Sequence, residues 1–121
     1  MTIETIIGFK TPKEISETVY NVLDSVKEIA KTRKGVNEAT KSIEKGKAKL
    51  IIIAEDIDPQ ELILHIPALC KEKEIPFVSV PSKQELGACV GLKVATTCVA
   101  VEDETLIKDN SKLIADIKKL L

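Results

Sequence analysis

The run Leu50-Ile51-Ile52-Ile53-Ala54 constrains this chain more than any other stretch. It is β-prone and apolar at every position, so neither face of a strand made from it tolerates water. Such strands occur in sheets covered on both sides, where alternation of polar and apolar residues is lost. The covering layers must then be helices from the same chain, and the sequence supplies them. Helix and strand signals alternate from end to end, with no linker, repeat or low-complexity tract. The expectation is an α/β fold, a single-domain three-layer α/β/α sandwich over residues 1–121 with a mixed four-stranded sheet.

The elements can be placed from local signals. Thr11-Pro12-Lys13-Glu14 predicts a helix start: Thr11 as cap, Pro12 at the first helical position and Glu14 closing a capping box. Ile15, Val19, Val22, Val26 and Ala30 follow at helical spacing. A weak strand is predicted at Thr32 to Lys34. Gly35 then breaks the chain before a helix from about Asn37 to Lys45, which Gly46 ends. After the central strand, Asp58 caps a helix running to about Lys73, kinked by Pro67. Phe77 to Val80 is the next strand. Ser82-Lys83-Gln84-Glu85 is a capping box for a helix to about Val90, and Thr97 to Val101 a further strand. From Thr105 to Leu121, Leu106, Ile107, Leu113, Ile114, Ile117 and Leu120 predict one helix with a single apolar face.

Composition narrows the chemistry. Hydrophobic residues are 44% and charged ones 31%, the balance of a folded soluble domain. Aromatics are only Phe9, Tyr20 and Phe77, so the core must be aliphatic. No run approaches the ~18 apolar residues of a membrane span, and Met1 to Lys10 lacks the basic start and apolar stretch of a secretory signal. A cytoplasmic location is expected. Cys70, Cys89 and Cys98 are odd in number and form no Cys-x-x-Cys pair, which reads as core or free thiols in a reducing compartment. His65 has no partner motif for nucleophilic catalysis and reads as structural.

The formal net charge of −1 conceals an uneven distribution. Between Lys31 and Lys49 lie seven basic residues and only two acidic ones, Glu38 and Glu44. That segment carries +5 and the other 102 residues −6. Charge alone fits a local polyanion site or a solvated helix face equally well.

Three constellations could carry function. In the first, Gly35 permits a tight turn into a helix whose free N–H groups suit a phosphate. Asn37 offers a donor and an acceptor, Glu38 accepts only, and Lys41 sits one turn on. With Arg33 and Lys34 on the turn side, this is a base reader among phosphate anchors; the plainer reading is a cap and surface lysines. In the second, Gly91 leaves Leu92, Lys93, Val94 and Ala95 in a loop. Its aliphatics could cover an unstacked base or enter the core. In the third, Glu55, Asp56 and Asp58 could hold Mg²⁺, though a turn and a helix cap account for them. A small α/β nucleotide- or metal-binding enzyme using this turn is the alternative function. Neither Gly-x-Gly-x-x-Gly nor a phosphate loop is present, and Gly87-x-x-x-Gly91 suggests close helix packing.

Three segments resemble one family in the correct order. Lys34-Gly35-Val36-Asn37-Glu38-Ala39-Thr40-Lys41 resembles its Gly-x-Asn-Glu-x-x-Lys signature. Leu50 to Pro59 resembles its central strand and turn, and Pro76 to Gly87 its later strand and helix start. The family is the kink-turn-binding ribosomal proteins, with the best likeness to the archaeal large-subunit member spelled L-seven-Ae; a spliceosomal and a nucleolar protein are relatives. The likeness runs from about Val19 to Asp103.

The resemblance implies an archaeal RNA-binding protein without catalytic activity or cofactor. Its partners would be kink-turns in ribosomal RNA, box C/D and H/ACA guide RNAs and ribonuclease P RNA, hence tRNA processing, together with ribonucleoprotein core proteins. No membrane partner is implied, and the free protein would be a monomer. Asn37, Glu38 and Lys41 would contact guanines of the tandem sheared G·A pairs. Gly35, Arg33 and Lys34 would lie along the backbone. Asp58, Leu62 and Lys83 would border the bulged nucleotide, and Leu92, Lys93, Val94 and Ala95 would close over the loop. Lys93 stands where many archaeal relatives carry Glu, which adds positive charge beside the RNA.

Overall fold

The computed structural model describes residues 8–28, 31–57 and 63–121. Leu50–Ala54 is strand β2. It lies between β3 (Phe77–Val80) and β4 (Cys98–Val101), and β4 is flanked on its other edge by β1 (Thr32–Lys34), giving the order β1-β4-β2-β3. β2 runs parallel to β3 and antiparallel to β4, and β1 is antiparallel to β4. The sheet is therefore mixed and four-stranded. Every residue of β2, β3 and β4 is buried, whereas the edge strand β1 is half-exposed. Burying each large aliphatic side chain of β2 contributes roughly 1.5–3 kcal/mol, which explains why this segment lies in the middle of the molecule.

Two helical layers cover the sheet. On one side are α1 (Lys13–Val26), α4 (Lys83–Cys89) and α6 (Ser111–Leu120), which pack around α1. On the other, α2 (Val36–Glu44) lies over β4 and β1, with α3 (His65–Lys73) against it. The short α5 (Glu104–Asp109) precedes α6. The core is aliphatic as composition requires, and Phe77 is its one fully buried aromatic. Tyr20 ties α1 to the start of α4: its hydroxyl donates to the Ser82 carbonyl (3.2 Å) and accepts from the Ser82 N–H (2.9 Å).

The structure differs from the sequence reading at several points. Thr11 does not cap α1, whose cap position is Pro12 with no side-chain bond. Thr11 is instead buried at 6% exposure against β3. Its hydroxyl oxygen accepts the Ser79 N–H (3.1 Å) and meets the Ser79 hydroxyl at 2.8 Å. Ser79 donates in turn to Glu55 (3.0 Å). Satisfying the backbone of a buried edge strand outweighs an exposed cap, because a buried N–H without an acceptor costs about 1–3 kcal/mol.

Pro67 is the third residue of α3. First-turn N–H groups have no intrahelical acceptor, so its ring removes no ladder bond and the predicted kink loses its cause. The C-terminal segment forms two helices and not one. Asp103 caps α5 through the Leu106 N–H (3.1 Å), and the Asn110 side-chain amide donates to the Leu106 carbonyl (2.8 Å), breaking the run at Asn110. The predicted helix start at Asp58 and the end of the first pattern at Ala30 lie outside the described residues. No helix of the described residues is long and apolar enough to cross a membrane.

All three cysteines are buried free thiols. Burial pushes the Cys70 thiol up to about 12 and Cys89 up to about 11, and raises Cys98 further still. Burial likewise pushes the Tyr20 phenol up to about 12. These groups favour the folded state while neutral, so their stabilisation is complete below their ordinary values of 9.0 and 10.0 and is lost as pH rises through the folded ones. Urea unfolding is therefore expected to give constant thiol and phenol contributions up to about pH 9, then a steep fall between about pH 9 and 12. A Cys70→Ala/Cys89→Ala/Cys98→Ala variant should keep only the later, tyrosine part of that fall.

Candidate functional site

The start of α2 sits at one end of the sheet because β1 delivers it there. Gly35 follows β1 directly, with φ 97° and ψ 157°, a backbone region open essentially to glycine alone. Its N–H donates to the Cys98 carbonyl at 2.7 Å, and its carbonyl accepts from Ala39 at 2.9 Å. One residue thus closes the β1–β4 ladder and opens the helix. Asn37 and Glu38 occupy the first turn and are exposed, while Ala39 and Ile43 on the opposite side of α2 are buried. The helix is braced from behind by His65 of α3, whose Nε2 lies 2.8 Å from the Thr40 hydroxyl.

The cations extend from Glu38 along one side of α2. Lys41 Nζ is 3.7 Å from Glu38 Oε1, an exposed pair one turn apart worth a few tenths of a kcal/mol. Arg33 reaches Glu102 (Nε to Oε1, 3.4 Å), and Ser42 of α2 donates to the other Glu102 oxygen at 2.6 Å. The Glu102 side chain is only 12% exposed, which makes it a fixed clamp that aims the guanidinium. Arg33, Lys41, Lys45 and Lys47 line a cleft of about 160 Å³ with Glu38 and Glu102. Alternation along β1 sends Lys34 to the opposite face from Arg33. The two were expected to flank the turn together, and the structure separates them.

The loop after α4 converges on the same end. Its backbone is fixed at three points: Leu92 N–H to the Gly87 carbonyl (2.9 Å), Thr96 N–H to the Lys83 carbonyl (3.1 Å) and Ala54 N–H to the Thr97 carbonyl (2.9 Å). The next residue after Thr97 is Cys98, which holds Gly35, so the loop and the start of α2 are neighbours. Leu92 packs partly onto the core, whereas Lys93 and Ala95 are exposed and Val94 is 69% exposed. The loop's two aliphatics therefore divide, one serving packing and one facing outward. Lys83 opens α4, its N–H held by Asp56 (2.8 Å), with Ser82 capping through Glu85 N–H (3.2 Å) as the sequence predicts.

Glu55 and Asp56 are engaged by Ser79 and by the Lys83 backbone, and among the described residues no cluster of His, Cys, Asp or Glu is arranged for a metal. Asp58 and Leu62 lie outside the described residues. Sequence reasoning missed Glu102 and Ser42. No local signal marks them, because only the pairing of Thr32 with Val101 brings Glu102 beside Arg33. It also misjudged Gly87: a Cβ there would run into the Val94 carbonyl, so the close approach is made by the loop, not by a helix.

A family model described as the ribosomal protein L7Ae/L30e/S12e/Gadd45 family matches residues 17–111. Among solved structures, the chain is similar to the Giardia lamblia 15.5kD RNA binding protein, with a TM-score of 0.85 and 31% sequence identity over 93% of this chain and 94% of that one.

Gly87 provides a test of the loop geometry. Helix propensity alone would make Gly87→Ala stabilising by about 0.5–1 kcal/mol. The collision with the Val94 carbonyl is expected to reverse the sign, giving a loss of about 1–3 kcal/mol in urea unfolding. Measured stabilisation would mean that the loop does not lie on α4.

Proposed function

Since this chain belongs to the ribosomal protein L7Ae/L30e/S12e/Gadd45 family, we propose that it is an RNA-binding protein that recognises and stabilises kink-turns and catalyses no reaction. The observation that carries this reading is the outward-facing Asn37–Glu38 pair, set on a helix start that Gly35 locks in place, with Glu38 at one end of a cleft that Arg33, Lys41 and Lys45 line. An amide and a carboxylate side by side offer donor and acceptor chemistry for guanine edges, and the cations serve the phosphates around them. Irregular RNA exposes base edges that a regular A-form groove hides. Binding to the bent form alone stabilises it by mass action, with no chemistry required.

In this reading Asn37, Glu38 and Lys41 contact the tandem sheared G·A pairs, with Gly35 and Arg33 along the backbone and Lys34 on its far side. Lys83 borders the bulged nucleotide together with Asp58 and Leu62. Lys93, Val94 and Ala95 close over the loop nucleotides, with Leu92 anchoring them to the core. The RNAs are ribosomal RNA, box C/D and H/ACA guide RNAs and ribonuclease P RNA. The protein acts as a cytoplasmic monomer that nucleates ribonucleoprotein assembly with core proteins. Similarity to the Giardia lamblia 15.5kD RNA binding protein supports the RNA part. Engagement of Glu55 and Asp56 within the fold favours binding over an enzyme at that turn.

The direct experiment is a gel shift with a kink-turn and with a copy whose G·A pairs are made Watson–Crick; retained affinity for the copy would refute the proposal. Glu38→Ala is expected to weaken kink-turn binding by ~1–3 kcal/mol and leave plain duplex unaffected. Equal losses on both RNAs would remove Glu38 from base recognition. Lys45→Ala should instead lower affinity evenly across RNAs and flatten the salt dependence by about one unit of log–log slope. An unaltered slope would take Lys45 out of the phosphate contacts.

A further inference from the structure

The cationic surface continues past the far end of α2. Lys31 precedes β1, Glu102 follows β4, and Lys47 and Lys49 precede β2, so all four lie at the end of the sheet opposite Asn37. There Lys31, Arg33, Lys47 and Lys49 line an open depression of about 690 Å³ with Glu102. It shares Arg33, Lys47 and Glu102 with the cleft beside Glu38. The two are one continuous track, running the length of α2.

The lysine backbones on this ledge are held in place. Lys49 N–H donates to the Val101 carbonyl (2.7 Å), Lys47 N–H to the Ser42 carbonyl (3.0 Å), and the Lys31 carbonyl accepts from Glu102 (2.9 Å). Their side chains are exposed, and the ion pairs among the described residues include none of the three. The acids nearby are committed elsewhere: Glu102 to Ser42 and Arg33, Asp103 to the start of α5 and the Lys31 N–H. Four cations against one facing carboxylate leave a net charge of +3. The lining holds no aromatic or large aliphatic residue, so it suits neither base stacking nor an apolar protein partner.

We infer that this ledge is a second phosphate-binding surface, for the backbone of a double-stranded RNA stem leading away from the recognised bend. The inference rests on the reading of the α2 tip as an RNA site. Lysines act as compact point charges that satisfy phosphates without fixing base identity. Nine residues of α2 separate the tip from the ledge, about 14 Å at ~1.5 Å per residue. A duplex advances roughly 3 Å along its axis per base pair, so a stem reaches the ledge only after about four to five base pairs.

The test compares wild type with Lys31→Ala/Lys49→Ala, the two lysines that line the ledge and not the cleft beside Glu38, on kink-turns whose stems, each in turn, have ~10 or ~2 base pairs, across a salt series. Thermal unfolding of the variant should match that of wild type, since the substituted side chains are exposed. For one of the stems, the double variant should bind the long form about tenfold more weakly, with a salt slope shallower by about one to two units. On the short form it should match wild type. Equal binding of both proteins to every long stem, or equal losses on long and short, would overturn the ledge. Failure of wild type to prefer a kink-turn over its Watson–Crick copy would overturn the function reading instead. In that case the ledge stands or falls on whether the double variant loses length-dependent affinity for plain duplex.

Discussion

A strand that is apolar on both faces and hydrogen-bonded on both edges organises this molecule. β2 must be central, so β3 and β4 must flank it and helices must cover it above and below. Because β4 is antiparallel to β2, the chain enters β4 at the end where β2 and β3 leave the sheet. β1, antiparallel to β4 in turn, also leaves there. One topological requirement therefore collects the start of α2, the Leu92–Thr97 loop and the start of α4 at a single end. The site follows from how a doubly buried strand has to be housed.

That end is built from backbone fixed by hydrogen bonds, with side chains left free to meet a ligand. Gly35 joins β4 to α2 through two main-chain bonds, and the loop is tied down at Gly87, Lys83 and Ala54. Asn37, Glu38, Lys93 and Val94 project from these fixed points. A mount of this kind limits the ordering entropy lost on binding, since only exposed side chains have to be immobilised. Arg33 is further advanced, being already held by Glu102 and, through it, by Ser42. A carboxylate within a cationic cleft thus serves as an aiming device, at the expense of one unit of local positive charge.

Overall charge says little about such a protein. Its net charge is −1, yet the track from Lys41 to Lys49 would present a net positive strip to a polyanion. At physiological salt the screening length is about 8 Å, so a ligand lying on that strip senses neighbouring lysines far more than the acidic remainder of the surface. Localised charge on an acidic body also suppresses non-specific attraction elsewhere, which favours binding in one orientation.

Much of this was readable beforehand, and the parts that were not share a cause. The aliphatic run at Leu50, the glycine before Asn37, the Ser82 cap and the alternation of elements are local signals. Each depends on neighbours within a few residues, so the sequence by itself determined the layers, the strands and the helix start that carries Asn37 and Glu38, whereas the antiparallel pairing of β4 with β2 and β1 was decided by long-range contacts. Thr11 was misread because its partner, Ser79, is 68 residues away. Glu102 was invisible because its partners Ser42 and Arg33 reach it only across the sheet. The division of Leu92 from Val94, the loop seated on Gly87 and the break at Asn110 were likewise decided in three dimensions. Short-range propensity is written in adjacent residues; long-range hydrogen bonds, ion pairs and close approaches exist only once packing has brought distant segments together, and only the tertiary structure could assign them.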